Sequence, residues 1–252
     1  MSSLAFTALV NQLQEIESFL SFSSKSKALR PRLSQLVAWN DIASRDKSAV
    51  QAYLSARPTS MQPLLNGLYL VAVASFEEYL RATLVNAIRA KVAISPKFEQ
   101  QPSALIRRNM KDTARFLTEP EGRRPQSEVF DACRRIATCV PGSMEVQFND
   151  SAIAGVGDIL RLDSYFRCLD DIGYVIGWDD LGREGDLQAL LSTRGVRETT
   201  KEIKDNVAIM YTTRNSIAHK GLNNSQVTEE LLLQQLKILK SIASVLDEKL
   251  TV

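Results

Sequence analysis

The chain holds a single histidine, His219, inside the stretch RNSIAHKG at residues 214–221. Arg214 stands five positions before it and Asn215 four, and Lys220 and Gly221 follow directly. These residue types can work on a phosphodiester. A neutral imidazole accepts a proton near neutral pH and returns it. A guanidinium offers a fixed fork of N–H donors that fits a phosphate, and it keeps its charge. Together they are minimal equipment for RNA cleavage without a metal ion. His219 would take the proton of a ribose 2′-hydroxyl, and that oxygen would attack the adjacent phosphorus. Arg214 would stabilise the charge growing on the phosphoryl oxygens. The products would be a 2′,3′-cyclic phosphate and a 5′-hydroxyl end. Such a step benefits from both a base and an acid, yet one chain supplies one imidazole. A two-fold homodimer would bring two His219 and two Arg214 together at its axis. The plainer alternative is a cation at a helix C-terminus, favoured there by about 0.3–1 kcal/mol at exposed sites.

Those residues need a helix that stops just after them. ETTKEIKDNVAIMYTTRNSIAH reads as one, with Ile203, Val207, Met210 and Ile217 along its apolar face and Gly221 as its stop. On a continuous helix, positions five apart lie about 140° apart around the axis. Arg214 and His219 then do not share a face, whereas Asn215 and His219, four apart, do. Either the long Arg214 side chain swings round or the helix ends before His219.

Helical periodicity dominates the rest of the chain. Phe6, Leu9, Leu13, Ile16 and Leu20 recur at 3–4 spacing, and FSSKSK then interrupts them. A weaker helix is expected from about Leu33 to Leu54, with Pro58 and Pro63 punctuating the break that follows. LLNGLYLVAVASFEEYLRATLVNAIRAKVA predicts a long central helix, apolar on most faces until EEYLR. Residues 95–195 carry Pro96, Pro102, Pro120, Pro125 and Pro141, and read as short helices joined by loops. The last helix, from about Thr228 to Leu250, has a seam of Leu232, Leu236, Leu239, Ala243, Leu246 and Leu250. The expected fold is all-α, with no strand-rich run. N-terminal helices over 1–58 would pack on a bundle over 59–252, elaborated at 95–195, as one compact unit.

Bulk properties narrow the function. The 252 residues are 44% hydrophobic, enough for a sizeable core. Lys plus Arg number 31 and Asp plus Glu 29, a net charge of +2, so any nucleic-acid surface must be a local patch. Cys133, Cys139 and Cys168 form neither a disulfide framework nor, with one histidine, a zinc set; buried thiols in a reducing compartment are the expectation. There is no glycine-rich phosphate loop and no nucleophile elbow, and no cofactor is implied. The N-terminus lacks the basic start of a signal peptide, and no window reads as a membrane span, so a soluble cytoplasmic protein is expected.

A carboxylate could complete the site. Glu77 in FEEYL has Leu70, Val73, Ala74, Leu80 and Leu84 near its own face, so it should be desolvated or paired. It would orient Arg214 or His219, or else pair with Arg81 at i+4. Glu78 competes for the role, because the helix phase is open by one residue. Tyr79 and Tyr211 either border the cleft or serve the core. For RNA, residues 107–135 offer eight basic side chains against five acidic ones. Arg107, Arg108 and Lys111 lead that strip, with Arg115, Arg123, Arg124, Arg134 and Arg135 behind them, and Lys220 beside the histidine is a further contact. A set of ordinary solvated helix faces is the alternative.

RNSIAHKG resembles the Arg-x4-His signature of HEPN domains. ASFEEYLRATL is similar to the second-helix signature of the RiboL-PSP-HEPN group, and YFRCLDDIGYVIGWDDL, upstream of the Arg-x4-His helix, also looks like that group. The likeness runs in order over roughly residues 62–248. It implies a helical bundle that often dimerises and places paired motifs in a cleft. It also implies a ribonuclease of antiviral-defence or toxin–antitoxin systems, with an antitoxin or other defence protein as a possible partner. By the same likeness Arg214 and His219 take the catalytic positions, Asn215 the polar position after the arginine, and Glu77 that of the glutamate after the aromatic. Some such toxins carry a tyrosine two residues after the histidine, the target of a nucleotidyltransferase antitoxin. Gly221 stands there in this chain, which puts that form of control in doubt. The alternative function is a HEPN-like binding or assembly module for a partner protein or nucleotide.

Overall fold

In the computed structural model, the described residues are 2–38, 50–51, 54–55, 61–118, 125–155, 161–221 and 227–250. They are all-α, with no strand among them. In chain order the helices are α1 (Leu4–Ala38), α2 (Met61–Ile94), α3 (Ser103–Leu117), α4 (Gln126–Ala137), α5 (Asp150–Ala154), α6 (Leu162–Ile172), α7 (Trp178–Arg183), α8 (Gly185–Leu191), α9 (Val196–Lys220) and α10 (Glu229–Leu250). The chain gathers into two compact units. One comprises Met1–Leu9, Ala74–Lys204 and Ile238–Val252; the other comprises Val10–Val73 and Asp205–Lys237. The expected boundary at 58/59 lies outside the described residues.

Helix α1 corrects one sequence expectation. It runs unbroken through FSSKSK and on past Leu33. The reason is energetic: residues 22–27 hold no glycine or proline, serine costs a helix only roughly half a kcal/mol relative to alanine, and lysine less. The part of the predicted Leu33–Leu54 helix beyond Ala38 falls largely outside the described residues. Pro58 does too, whereas Pro63 sits inside the first turn of α2 rather than in a break. A proline there is tolerated, since the first N–H groups of a helix have no intrahelical partner. Pro31, by contrast, lies well inside α1 and removes a backbone donor. Pro31→Ala is therefore expected to stabilise the protein by roughly 1–3 kcal/mol, measured by urea unfolding.

In the first unit, Phe76, Leu80 and Leu84 of α2 are fully buried, as are Leu105, Tyr165, Leu169, Ile242 and Leu246. The short helices of the proline-rich middle are tied down by buried polar groups. Asn149 donates its backbone N–H to Asn109 Oδ1 at 2.8 Å, and its Nδ2 donates to Thr113 Oγ1 at 2.9 Å and to the Ala132 carbonyl at 3.0 Å. These bonds join α3, α4 and the entry to α5, where irregular backbone cannot rely on a ladder of its own. Helix α6 stops at Gly173, whose φ of +103° suits a residue without Cβ.

The second unit buries Leu13, Ile16 and Leu20 of α1, Leu65, Tyr69, Ala72 and Val73 of α2, Val207, Met210 and Ile217 of α9, and Leu232 and Leu236 of α10. The 3–4 periodicities of the sequence thus mark buried faces in all four helices. No described helix is long and apolar enough to cross a membrane.

Candidate functional site

The motif lies on the part of α9 that belongs to the second unit. Met210 and Ile217, seven residues apart and both buried, fix which side of the helix faces inward. Asn215 and His219 are exposed and lie about 160° from Ile217 on either side, on the solvent face. Arg214 is half-buried, between the two faces. The helix continues through His219 to Lys220, so it does not end before the histidine. The spacing of about 140° between Arg214 and His219 therefore stands.

The arginine is held toward the histidine's face by its neighbour. Arg214 Nη1 donates to Asn215 Oδ1 at 3.1 Å. Asn215 shares its face with His219 one turn on. Immediately after, Gly221 adopts φ +81° and its N–H donates to the Ile217 carbonyl at 3.0 Å. That left-handed stop leaves His219 in the last turn, near the negative end of the helix dipole. The side chain of Lys220 lies outside the described residues.

Glu77 is buried, 6% exposed, while Glu78 is exposed and pairs with Arg81 at 3.8 Å. Packing has settled the helix phase that the sequence left open. Glu77 belongs to the first unit and the Arg214–His219 stretch to the second. Tyr79 is a core aromatic: it is buried, and its hydroxyl donates to the Ala243 carbonyl at 2.8 Å. Tyr211 is half-buried.

The basic strip divides. Arg107 and Lys111 are exposed on α3. Arg108 instead donates through Nε to Asp171 Oδ2 at 2.5 Å and lies 3.9 Å from Asp112. Burial raises the Asp112 carboxyl, and Arg108 pulls it back down. Arg134 and Arg135 both reach Asp131, and Arg135 also reaches Asp150. Arg123 and Arg124 lie outside the described residues. Of the thiols, Cys139 and Cys168 are buried as expected, and burial pushes Cys168 up to about 11. Cys133 is exposed, against the expectation, because α4 is a surface helix whose only buried residue is Ala132.

No protein-family model, no curated protein and no solved structure matches the chain.

One buried residue beside the motif helix carries no motif-like signal in the sequence. Tyr69 of α2 is 1% exposed, and its hydroxyl approaches the Met210 carbonyl at 3.5 Å, one turn before Arg214. Burial pushes its phenol up from 10.0 to about 12, against an opposing hydrogen bond with the Thr213 side chain. A phenol raised on folding contributes stability that is whole below the unfolded value and lost as pH climbs through the folded one. Urea midpoints should therefore hold up to about pH 10 and fall toward pH 12. In Tyr69→Phe that fall should be shallower, and an identical pH profile would disprove the assignment.

Proposed function

We propose that this chain is a HEPN-type, metal-independent endoribonuclease, acting as a homodimer through its motif face in antiviral defence or a toxin–antitoxin system. The observation that carries the reading is the arrangement on α9. Arg214 is bonded to Asn215, Asn215 shares the exposed face with His219, and Gly221 ends the helix directly after. Asn215 positions the guanidinium, and the guanidinium stabilises the developing phosphoryl charge. His219 removes the 2′-hydroxyl proton as the 2′-oxygen bonds to phosphorus. The P–O5′ bond breaks, and the departing oxygen takes a proton from the imidazolium of the second copy.

The test is to incubate purified protein with RNA in EDTA and to analyse the ends. Cyclic-phosphate and 5′-hydroxyl ends, made by a dimer, are expected. EDTA-sensitive cutting, or full activity in a strict monomer, would sink the mechanism. The small net charge of +2 favours a second reading, a HEPN-like module that holds a nucleotide, RNA or partner protein without cutting. Binding without any cleavage would select it.

A further inference from the structure

Of the cations expected to face RNA at 107–135, Arg108, Arg134 and Arg135 are neutralised by the protein's own carboxylates, which leaves Arg107, Lys111 and Arg115 as the exposed ones among the described residues. A different group is not neutralised. Arg194, Arg197, Lys201 and Lys204 are all exposed and line an open depression of about 890 Å³ in the first unit. Glu198 is the one acidic side chain among its described lining residues, and it accepts from the Arg194 backbone N–H at 3.1 Å. Among the described residues none of the four cations is ion-paired. Arg197, Lys201 and Lys204 follow i, i+4, i+7 spacing on α9, so they form one stripe about 10 Å long. Lys204 is also set in place: its Nζ sits 5.1 Å from the centre of the Trp178 ring, whose Nε1 donates to Asp163 Oδ1 at 2.6 Å.

We infer that this stripe is a docking surface for the phosphodiester backbone of single-stranded RNA, an inference that rests on the proposed ribonuclease reading. A row of exposed, unneutralised cations on a nearly neutral chain is where counterion release from a polyanion would be concentrated. The long Arg and Lys stems reach successive phosphates and read no bases, so binding is independent of sequence.

The experiment measures binding of a fluorescent single-stranded RNA by anisotropy across a salt series, in a His219→Ala background so that RNA stays whole. Arg197→Ala/Lys201→Ala/Lys204→Ala should weaken binding 10- to 100-fold and flatten the log–log salt slope by about 2, from about 0.7 per lost contact. Arg197→Lys/Lys201→Arg/Lys204→Arg should restore both. If the triple variant misfolds, Arg197→Ala/Lys201→Ala leaves the Lys204–Trp178 contact intact and should flatten the slope by about 1.4. Unchanged affinity and slope, no RNA binding by the His219→Ala protein, or equal competition by polyglutamate would each overturn the inference. Cleavage by the wild type with an unchanged slope would remove the surface and keep the nuclease. A flattened slope with no cleavage would do the reverse.

Discussion

Replacing His219 by alanine should reduce RNA cleavage by roughly 10²–10⁴-fold, the span that a positioned acid–base group contributes. The fold should not change, because His219 is exposed and lies in the last turn of α9. Circular dichroism and the urea midpoint are the controls, and single-turnover rates with end analysis give the effect. Arg214→Lys should be nearly as damaging as Arg214→Ala, although it keeps the charge. Lysine has no planar fork with which to hold Asn215 Oδ1 and still donate to a phosphoryl oxygen. Asn215→Ala should act more weakly and should be partly recovered by Asn215→Gln, since in the proposed mechanism it aims the guanidinium. Cleavage undiminished in His219→Ala would end the acid–base reading, whatever the other variants did.

The largest stability effect is expected at Phe76→Ala, a loss of about 3–5 kcal/mol in urea unfolding. Phe76 is 0% exposed and stacks on Tyr79 with ring centroids 6.2 Å apart and planes 25° from parallel. Tyr79 in turn meets the edge of Phe6 at 6.4 Å and donates to the Ala243 carbonyl. Removing the Phe76 ring opens a void among partners that cannot close over it. Glu78→Ala, two positions away, should cost about 0–1 kcal/mol, because its pair with Arg81 is a surface one. The contrast has a functional side. Within FEEYL the aromatic residues and Leu80 serve the core, so that part of the HEPN resemblance reflects packing rather than catalysis. A small Phe76→Ala effect would contradict that assignment.

Much of the architecture was legible in the residues alone. The 3–4 spacing from Leu9 to Leu20, the α10 seam at Leu232, Leu236, Leu239, Ala243 and Leu246, and the apolar positions of α9 all proved to be buried faces. Gly221 marked a true helix end. These features are local: periodicity and caps act within a turn or two, and a chain can state them without knowing its partners. Other features depend on groups far apart in sequence, and only tertiary structure decided them. Packing chose Glu77 over Glu78 for burial. Arg108 lost its freedom to Asp171, 63 residues away. Arg197, Lys201 and Lys204 stayed unpaired, because no described carboxylate packs close enough to neutralise them, whereas half of the described cations expected at 107–135 are ion-paired. The motif shows both sides. The sequence placed Asn215 and His219 on one face, and the fold turned that face to solvent and joined Arg214 to it. A side chain's type and spacing set what chemistry it can do, whereas its burial and its partner are properties of the packed whole.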